Sequence, residues 1–468
     1  MDVKGKRVLV VGLGKSGIAS ALFLADQGAR VGVSDSKTPA ELRQEIPVLL
    51  DRGIEVETGQ HGERTFLDQN LIVISPGVPF DVPQLVRARK AGIPVIGEVE
   101  LAGRYLKGKI VAITGSNGKT TTTSLAGQII AASGKPTLVG GNIGTPAITF
   151  VPKATDDTWI VLEVSSFQLE TVDTFHPKVA MVLNVTPDHL DRHHTFENYA
   201  AAKIRIFENQ TSDDLAVLNA DDSNCVAMAN ETKAEVYWFS RLREVEPGAF
   251  VQRDQITWRH AGREQTIMPV SEIALKGTHN VENVLAAVCA GMLAKVDPVD
   301  IRRAVANFKA VEHRLEYVAT VRGVEYYNDS KATNVDATIK ALESFAGGIH
   351  LILGGKDKGS DYSLLNPLLE SRVKRVYTIG AAAGKIELQV SGTEVVSAGT
   401  IDNAVRRASE SATPGDVVVL APACASFDQF VSYEHRGRVF KDLVNQLAGR
   451  AGKSGDQTAD SLAAGGTE

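Results

Sequence analysis

The residues best suited to chemistry lie in IVAITGSNGKTTTT, Ile110 to Thr123, where a β-branched run ends in Gly115 and Gly118 and is followed by Lys119 and four threonines. Phosphate binding needs this order. A buried strand delivers the chain to a tight turn whose backbone N–H groups, helix N-terminus and lysine converge on one anion. Gly115, Ser116, Asn117, Gly118, Lys119, Thr120 and Thr121 are therefore candidates for holding a nucleotide triphosphate. The spacing departs from the common P-loop, because Ile113 stands where its first glycine is expected. A glycine-rich turn with a chance lysine-threonine pair is the competing reading.

Other polar residues follow apolar runs. Glu163 ends the run in WIVLEVSSFQLE, with Ser165 and Ser166 behind it. A carboxylate there is costly unless paired, and Mg²⁺ beside the phosphate turn would pair with it. Downstream, TPDHLDRHH gathers Asp188, His189, Asp191, His193 and His194. His189 and His193 are spaced for a zinc pair on a helix, but Leu190 replaces the glutamate of zinc proteases and no cysteine is near. A hard-cation site completed by Glu163 and an imidazole fits better. Lys203, in YAAAKIRIFEN, reads as a solvated lysine whose stem lies on Ile204 and Phe207. Asn280 and Asn283 share a helix face and are placed to read a base edge, with an N-cap role for Asn280 as the alternative.

A second anion-binding pattern opens the chain. RVLVVGLGKSG carries Gly12, Gly14 and Gly17 in the spacing G-x-G-x-x-G, and the next strand ends in Asp35, where a ribose-binding acid sits in dinucleotide folds. Alone this suggests NAD, but the fingerprint fixes only a diphosphate at a helix N-terminus, so a nucleotide-diphosphate sugar suits it equally. LIVISPG places Ser75 and Gly77 at the sheet rim, and GGNIGTPA offers Asn142 on a turn that reads equally as a ligand loop or an ordinary surface loop.

The elements that must position these residues are strands alternating with helix-length segments, an α/β pattern repeated along the chain. At 468 residues the chain suggests about three domains of roughly 150 residues each. The boundaries expected are 1–107 (Rossmann-like), 108–310 (P-loop ATPase-like), 311–450 (a second Rossmann-like, doubly wound sheet) and a small, polar, disordered tail from Ala451 to 468. Hydrophobic content of 43% and charged content of 23%, with no apolar run long enough to span a membrane, indicate a soluble cytoplasmic protein. Three scattered cysteines fit a reducing compartment, and a net charge of −6 argues against a nucleic-acid partner. Any anion must be held by local geometry.

Taken together, ITGSNGKTTT, GGNIG, LEVSSFQLE, NVTPDHLDRH, YAAAKIRIFEN, HNVENVLAA, HR, NDSKATN, LGGKDKGSD and APACASFDQF, in this order, resemble the Mur ligases of peptidoglycan synthesis over residues 1 to about 448. The resemblance implies ATP-dependent amide ligation by a monomer, with no membrane partner. The carboxylate of UDP-N-acetylmuramoyl-L-alanine would be phosphorylated by ATP and the acyl phosphate attacked by D-glutamate. It implies two Mg²⁺ ions held around Thr120, Glu163 and His189, with a carbamylated Lys203 as an anionic ligand, contrary to the solvated lysine read from the residues. Asn280, Asn283, Arg314 and Asp329 would hold the nucleotide and Lys331 would lie near the reacting groups. Thr333, Lys358, Ser426 and the backbone near Tyr433 would hold D-glutamate. Lys15, Ser16, Ser36, Lys37, Ser75, Gly77, Asn142 and Ser165 would hold the UDP substrate. Competing readings are another Mur-type or folylpolyglutamate-type amide ligase, an NAD-dependent oxidoreductase, and a non-catalytic nucleotide-binding protein. A diamino-acid Mur ligase would carry an Asn-Pro-Arg-type motif, which this sequence lacks, a folylpolyglutamate-type enzyme would not need the first Rossmann-like unit, and the oxidoreductase leaves Lys119 and Glu163 without work.

Overall fold

A computed structural model describes residues 1–275, 277–309 and 312–463. The expected boundary at 310 and 311 lies outside the described residues. The chain forms two compact units, one of 1–185, 192–272 and 282–307, the other of 186–191, 273–281 and the chain from Phe308 onward.

The first unit contains two sheets. One comprises β1 (Arg7–Val11), β2 (Arg30–Asp35), β3 (Glu55–Thr58), β4 (Leu71–Ile74) and β5 (Val95–Gly97), all parallel, in the order β3-β2-β1-β4-β5. The other comprises β6 (Lys109–Thr114), β7 (Thr137–Gly141), β8 (Trp159–Glu163), β9 (Val179–Val182), β10 (Leu215–Asn219), β11 (Glu235–Ser240), β12 (Gly248–Gln252), β13 (Gln255–His260) and β14 (Arg263–Pro269). Its order is β14-β13-β12-β11-β10-β9-β6-β8-β7, parallel except where β13 joins β12 and β14. RVLVV, KIVAIT and WIVLE read as near-continuous apolar runs because helices cover both sheet faces.

The second unit holds β15 (Glu316–Val321), β16 (Val324–Asn328), β17 (Ile349–Gly354), β18 (Val373–Ile379), β19 (Glu394–Gly399) and β20 (Val417–Leu420), in the order β15-β16-β20-β17-β18-β19. β15 and β16 form the hairpin expected at Gly323 and the remaining pairings are parallel. In each sheet the strand order reverses beside β1, β6 or β17, and a ligand crevice opens at the carboxyl ends of such strands. The last helix is Tyr433–Ala463, and 464–468 lie outside the described residues. Phe440 and Val444 anchor the helix in the core, and each further residue then adds a hydrogen bond without a new nucleus.

Two buried carboxyls tie the sheets of the first unit together from the short helix Glu98–Gly103. Glu100 accepts backbone N–H groups from Asp173 (2.9 Å) and Phe175 (2.8 Å), the Thr174 hydroxyl (2.7 Å) and Arg104 Nε (2.6 Å). Glu98 Oε1 accepts the Ile148 N–H at 2.7 Å, and its other oxygen is buried without a partner among the described residues. Burial raises the Glu98 carboxyl to about 7 even though backbone N–H groups of Ile148 and Ala147 pull it down. The unfolded chain ionises this group first, so stability present below pH 4.5 is lost as pH climbs to about 7, by on the order of 3 kcal/mol. Glu98→Gln should flatten this dependence, narrowing the gap between thermal unfolding midpoints at pH 5 and pH 8. An unchanged gap would show that Glu98 is not its source.

Candidate active site

The turn after β6 is fixed on every side. Gly118 lies at φ 83°, and a Cβ there would meet Asn283 Oδ1 at 2.2 Å, so only glycine fits. Helix Lys119–Ala132 starts at once with no side-chain cap, which directs its first N–H groups at the turn. Asn184, at the end of β9, braces the loop: its carbonyl accepts Ser116 N–H (2.9 Å), Oδ1 accepts Asn117 N–H (2.8 Å) and Nδ2 donates to the Asn117 carbonyl (3.2 Å). Ser116 Oγ lies 3.0 Å from the Tyr199 hydroxyl. Lys119 Nζ donates to the carbonyls of Gly115 (2.7 Å) and Ser116 (2.8 Å).

Strand register places the carboxylate. β8 lies between β6 and β7, so Ile113, Glu163 and Gly141 stand side by side. Ile113 fills this strand position and is fully buried, which accounts for its departure from the P-loop spacing. Glu163 Oε2 accepts the Thr120 hydroxyl at 2.7 Å and Oε1 accepts Asn142 Nδ2 at 2.8 Å. GGNIG is therefore not an ordinary surface loop. Gly141 has φ 99°, a Cβ there would lie 2.4 Å from the Glu163 carbonyl, and Asn142 N–H donates to that same carbonyl.

Lys203 corrects the reading of a solvated lysine. It is 1% exposed, donates to the Gly115 carbonyl at 2.9 Å and sits 4.5 Å from the Tyr199 ring centre. Tyr199 and Lys203 are one helical turn apart on Phe196–Ile204, so the face that buries the tyrosine also buries the ammonium. His189 and His193 do not share a helix: the helix is only Leu190–His193, and His189 precedes it with φ 53°. His193 is buried within the first unit, 3.0 Å from Ser166 Oγ and 3.3 Å from Glu170. Asn280 is not an N-cap, since the helix Thr278–Leu293 has already begun there. Asn283 Oδ1 accepts the Thr122 hydroxyl at 3.3 Å.

At the carboxyl edge of the first sheet a cleft of about 380 Å³ is lined by Gly12, Lys15, Ser16, Ser36, Lys37, His61, Ser75 and Gly77 among others. Gly17 is obligatory, because a Cβ would lie 1.8 Å from the Gly12 carbonyl. Asp35 shapes the cleft: Oδ2 accepts Leu13 N–H (2.6 Å) and Oδ1 accepts Lys37 N–H (2.8 Å). Arg192 ties the cleft wall to the rest of the unit, donating to the Val78 carbonyl (3.2 Å) and Glu170 (2.7 Å) while lying 4.4 Å from the Phe167 ring centre.

In the second unit Asp188 is buried and accepts Lys358 Nζ (2.8 Å) and Asn334 Nδ2 (2.9 Å). Burial opposes its ionisation, but Lys358 and then His189 hold the carboxyl well below the usual range. Burial raises Asp329 to about 6 against the pull of Arg314. Arg436, fully buried, joins the Ser330 hydroxyl (3.0 Å) and carbonyl (2.8 Å) to the Cys424 carbonyl (3.1 Å), and Ser330 Oγ donates to the Tyr433 carbonyl at 2.8 Å. Lys331 Nζ lies 5.2 Å from the Tyr433 ring centre.

Residues 6–97 match the family model for the Mur ligase MurD-like N-terminal domain, 113–291 that for the Mur ligase middle domain and 313–424 that for the Mur ligase glutamate ligase domain. The UDP-N-acetylmuramoylalanine–D-glutamate ligase of Koribacter versatilis is 69% identical over 96% of this chain and 99% of its own. This chain belongs to the Mur ligase family. The enzyme of the same name from Acidobacterium capsulatum is 60% identical over 96% of this chain and 98% of its own. Among solved structures, a pseudomurein peptide ligase type C from Methanothermus fervidus is similar with TM-score 0.60 and 20% identity, covering 95% of this chain and 100% of its own. The UDP-N-acetylmuramate-alanine ligase of Thermotoga maritima gives 0.58 and 19%, over 94% and 99%. At such identities these two structures show the fold alone.

Within this Mur ligase the expected residues fall into separate groups. Gly115 to Thr121, Glu163, Asn142 and Lys203 come together at the turn after β6, and Lys15, Ser16, Ser36, Lys37, Ser75 and Gly77 share the first cleft. Asn142 and Ser165, expected to hold the UDP substrate, lie elsewhere in the first unit. Asn142 holds Glu163, and Ser165 caps the helix Ser166–Leu169. Thr333, Lys358, Ser426, Arg314, Asp329, Lys331 and Tyr433 lie in the second unit. Sequence reading missed Asn184, Tyr199, Arg192 and Arg436. Asn184 alone carried a signal, as a polar residue ending an apolar strand run.

Proposed function

We propose that this Mur ligase, an ATP-dependent amide ligase, joins D-glutamate to UDP-N-acetylmuramoyl-L-alanine, as the names of its relatives describe for them. The reading rests above all on the phosphate turn with Thr120 and Glu163 set 2.7 Å apart at its edge. A substrate carboxylate oxygen bonds to the γ-phosphorus of ATP and ADP leaves. The amine of D-glutamate then bonds to the acyl carbon, phosphate leaves with the former carboxylate oxygen, and the amine gives up protons. Bringing a carboxylate to about 4 Å from a phosphate charge costs on the order of 4 kcal/mol at intermediate dielectric, so the site must supply positive charge. Lys119 and the helix N-terminus supply part of it.

The hard oxygens of Thr120 and Glu163 suit Mg²⁺, which when bound neutralises phosphate charge and orients the γ-phosphoryl group. Asn142 holds the Glu163 carboxylate in position for this. Carbamylation of Lys203 also fits: Lys119 and Lys203 both donate to the Gly115 carbonyl, at 2.7 and 2.9 Å, so two cations crowd one oxygen. Carbon dioxide adds to the Lys203 amine, two protons are released from the former ammonium, and the resulting carbamate anion removes that repulsion and adds a hard ligand. His189 is the further metal ligand that the family pattern supplies. Asn280, Asn283, Arg314 and Asp329 serve the nucleotide and Lys331 the reacting groups. In the second unit Lys358, Thr333, Ser426 and the Tyr433 backbone receive D-glutamate, with Asp188 and Asn334 holding Lys358 and its neighbours in place.

Phosphate release with ATP, Mg²⁺ and UDP-N-acetylmuramoyl-L-alanine should depend on D-glutamate; equal rates with a diamino acid would overturn the assignment. Lys203→Ala should lose at least about 100-fold in kcat and regain part of it with added short-chain carboxylates. Failure of rescue across a series of acids would count against the carbamate.

A further inference from the structure

Beyond the cradle for a diphosphate, the cleft of the first sheet carries a side chain that no part of the reaction uses. His61 follows β3 and lines the cleft. Its Nδ1 lies 2.7 Å from the buried Ser34 hydroxyl, which is itself 3.0 Å from Glu57 Oε2. The other Glu57 oxygen accepts Gly62 N–H (3.2 Å) and the Thr65 hydroxyl (3.1 Å). Every neighbour of Glu57 in this set is a donor, which is the environment of an ionised carboxylate. Ser34 has one proton and gives it to Glu57, so it can only accept from His61. The proton of neutral His61 is thereby fixed on Nδ1, and Nε2 is left as an acceptor with no hydrogen bond to the protein among the described residues.

The position of His61 along the sheet says what that acceptor meets. The cleft crosses the ends of β4 (Ser75–Val78), β1 (Gly12–Ser16), β2 (Asp35–Lys37) and β3 (His61), neighbours in the sheet, and so spans about 14 Å. The glycine turn and the N-terminus of helix Lys15–Asp26 fix a diphosphate over β1. The wall after β4 is tied through Arg192 to Glu170, seven residues beyond Glu163 on the same run of chain. The acyl end of the substrate must leave on that side, and the nucleoside then lies toward β2 and β3.

We infer that His61 is a specificity-determining residue that reads the base, its Nε2 accepting the N3–H of uracil, with Ser34 and Glu57 as positioning residues that hold the tautomer. Cytosine carries an acceptor at N3 and sets lone pair against lone pair. Asp35 is a second acceptor in the cleft, its carboxylate pinned against the glycine turn by the Leu13 and Lys37 N–H groups, and the loss of base preference in His61→Leu separates the two.

The inference rests on the cleft being the uridine-diphosphate cradle, and one calorimetric series separates the two. The wild-type enzyme should bind UDP at least about tenfold more tightly than CDP or N3-methyl-UDP. His61→Leu should bind all three nearly alike, His61→Gln, which retains an acceptor, should keep part of the preference, and Ser34→Ala should narrow it, all with wild-type unfolding midpoints. UDP binding with an unchanged UDP/CDP ratio in His61→Leu would overturn the role of His61 alone. Absence of UDP binding by the wild type would overturn the cradle and the base reader together.

Discussion

The first unit depends on the pairing of three strands. Because β8 is sandwiched between β6 and β7, the residue that ends β8, Glu163, is delivered to the mouth of the turn that follows β6 and beneath the glycines that end β7. A shift of this register by one residue would turn every side chain to the opposite face and send the carboxylate away from Thr120. The apolar runs IVAI and WIVL, buried on both sides, are what hold the register of β6 and β8. The catalytic geometry is in this sense a consequence of core packing, and the buried carboxylate is tolerated because Thr120 and Asn142 satisfy it.

The same logic recurs in each sheet. In all three the residues we propose for ligand binding gather at the carboxyl ends of strands where the order reverses. An acidic chain with a net charge of −6 cannot gather phosphates by its overall field, so it uses helix N-termini and close backbone approach. Glycines are obligatory at the points of closest approach. Gly17 nearly touches the Gly12 carbonyl, Gly118 lies against Asn283, and Gly141 lies against the Glu163 carbonyl.

Much of this was legible in the sequence, for reasons that are local. The apolar strand runs, the glycine spacings and Lys119 announce the three sheets and both glycine turns, since each signal lies within one strand-turn-helix unit. What stayed hidden depends on partners far along the chain. Lys203 read as solvated because its acceptor, the Gly115 carbonyl, is 88 residues away in sequence. Asn184 could not be seen as the brace of Asn117, 67 residues earlier, nor Asp35 as a shaper of its own glycine turn, because both act through backbone groups. The His189–His193 spacing has helical period, but the helix begins only at Leu190, in line with the rejection of a zinc pair there.

The central claim is that the strand-held cation site makes a substrate carboxylate attack ATP. It is tested most directly by labelling the alanyl carboxylate of UDP-N-acetylmuramoyl-L-alanine with ¹⁸O and analysing the phosphate released in the presence of ATP and D-glutamate by mass spectrometry. Transfer through an acyl phosphate predicts one labelled oxygen in each phosphate released. Unlabelled phosphate, with amide still formed, would contradict it.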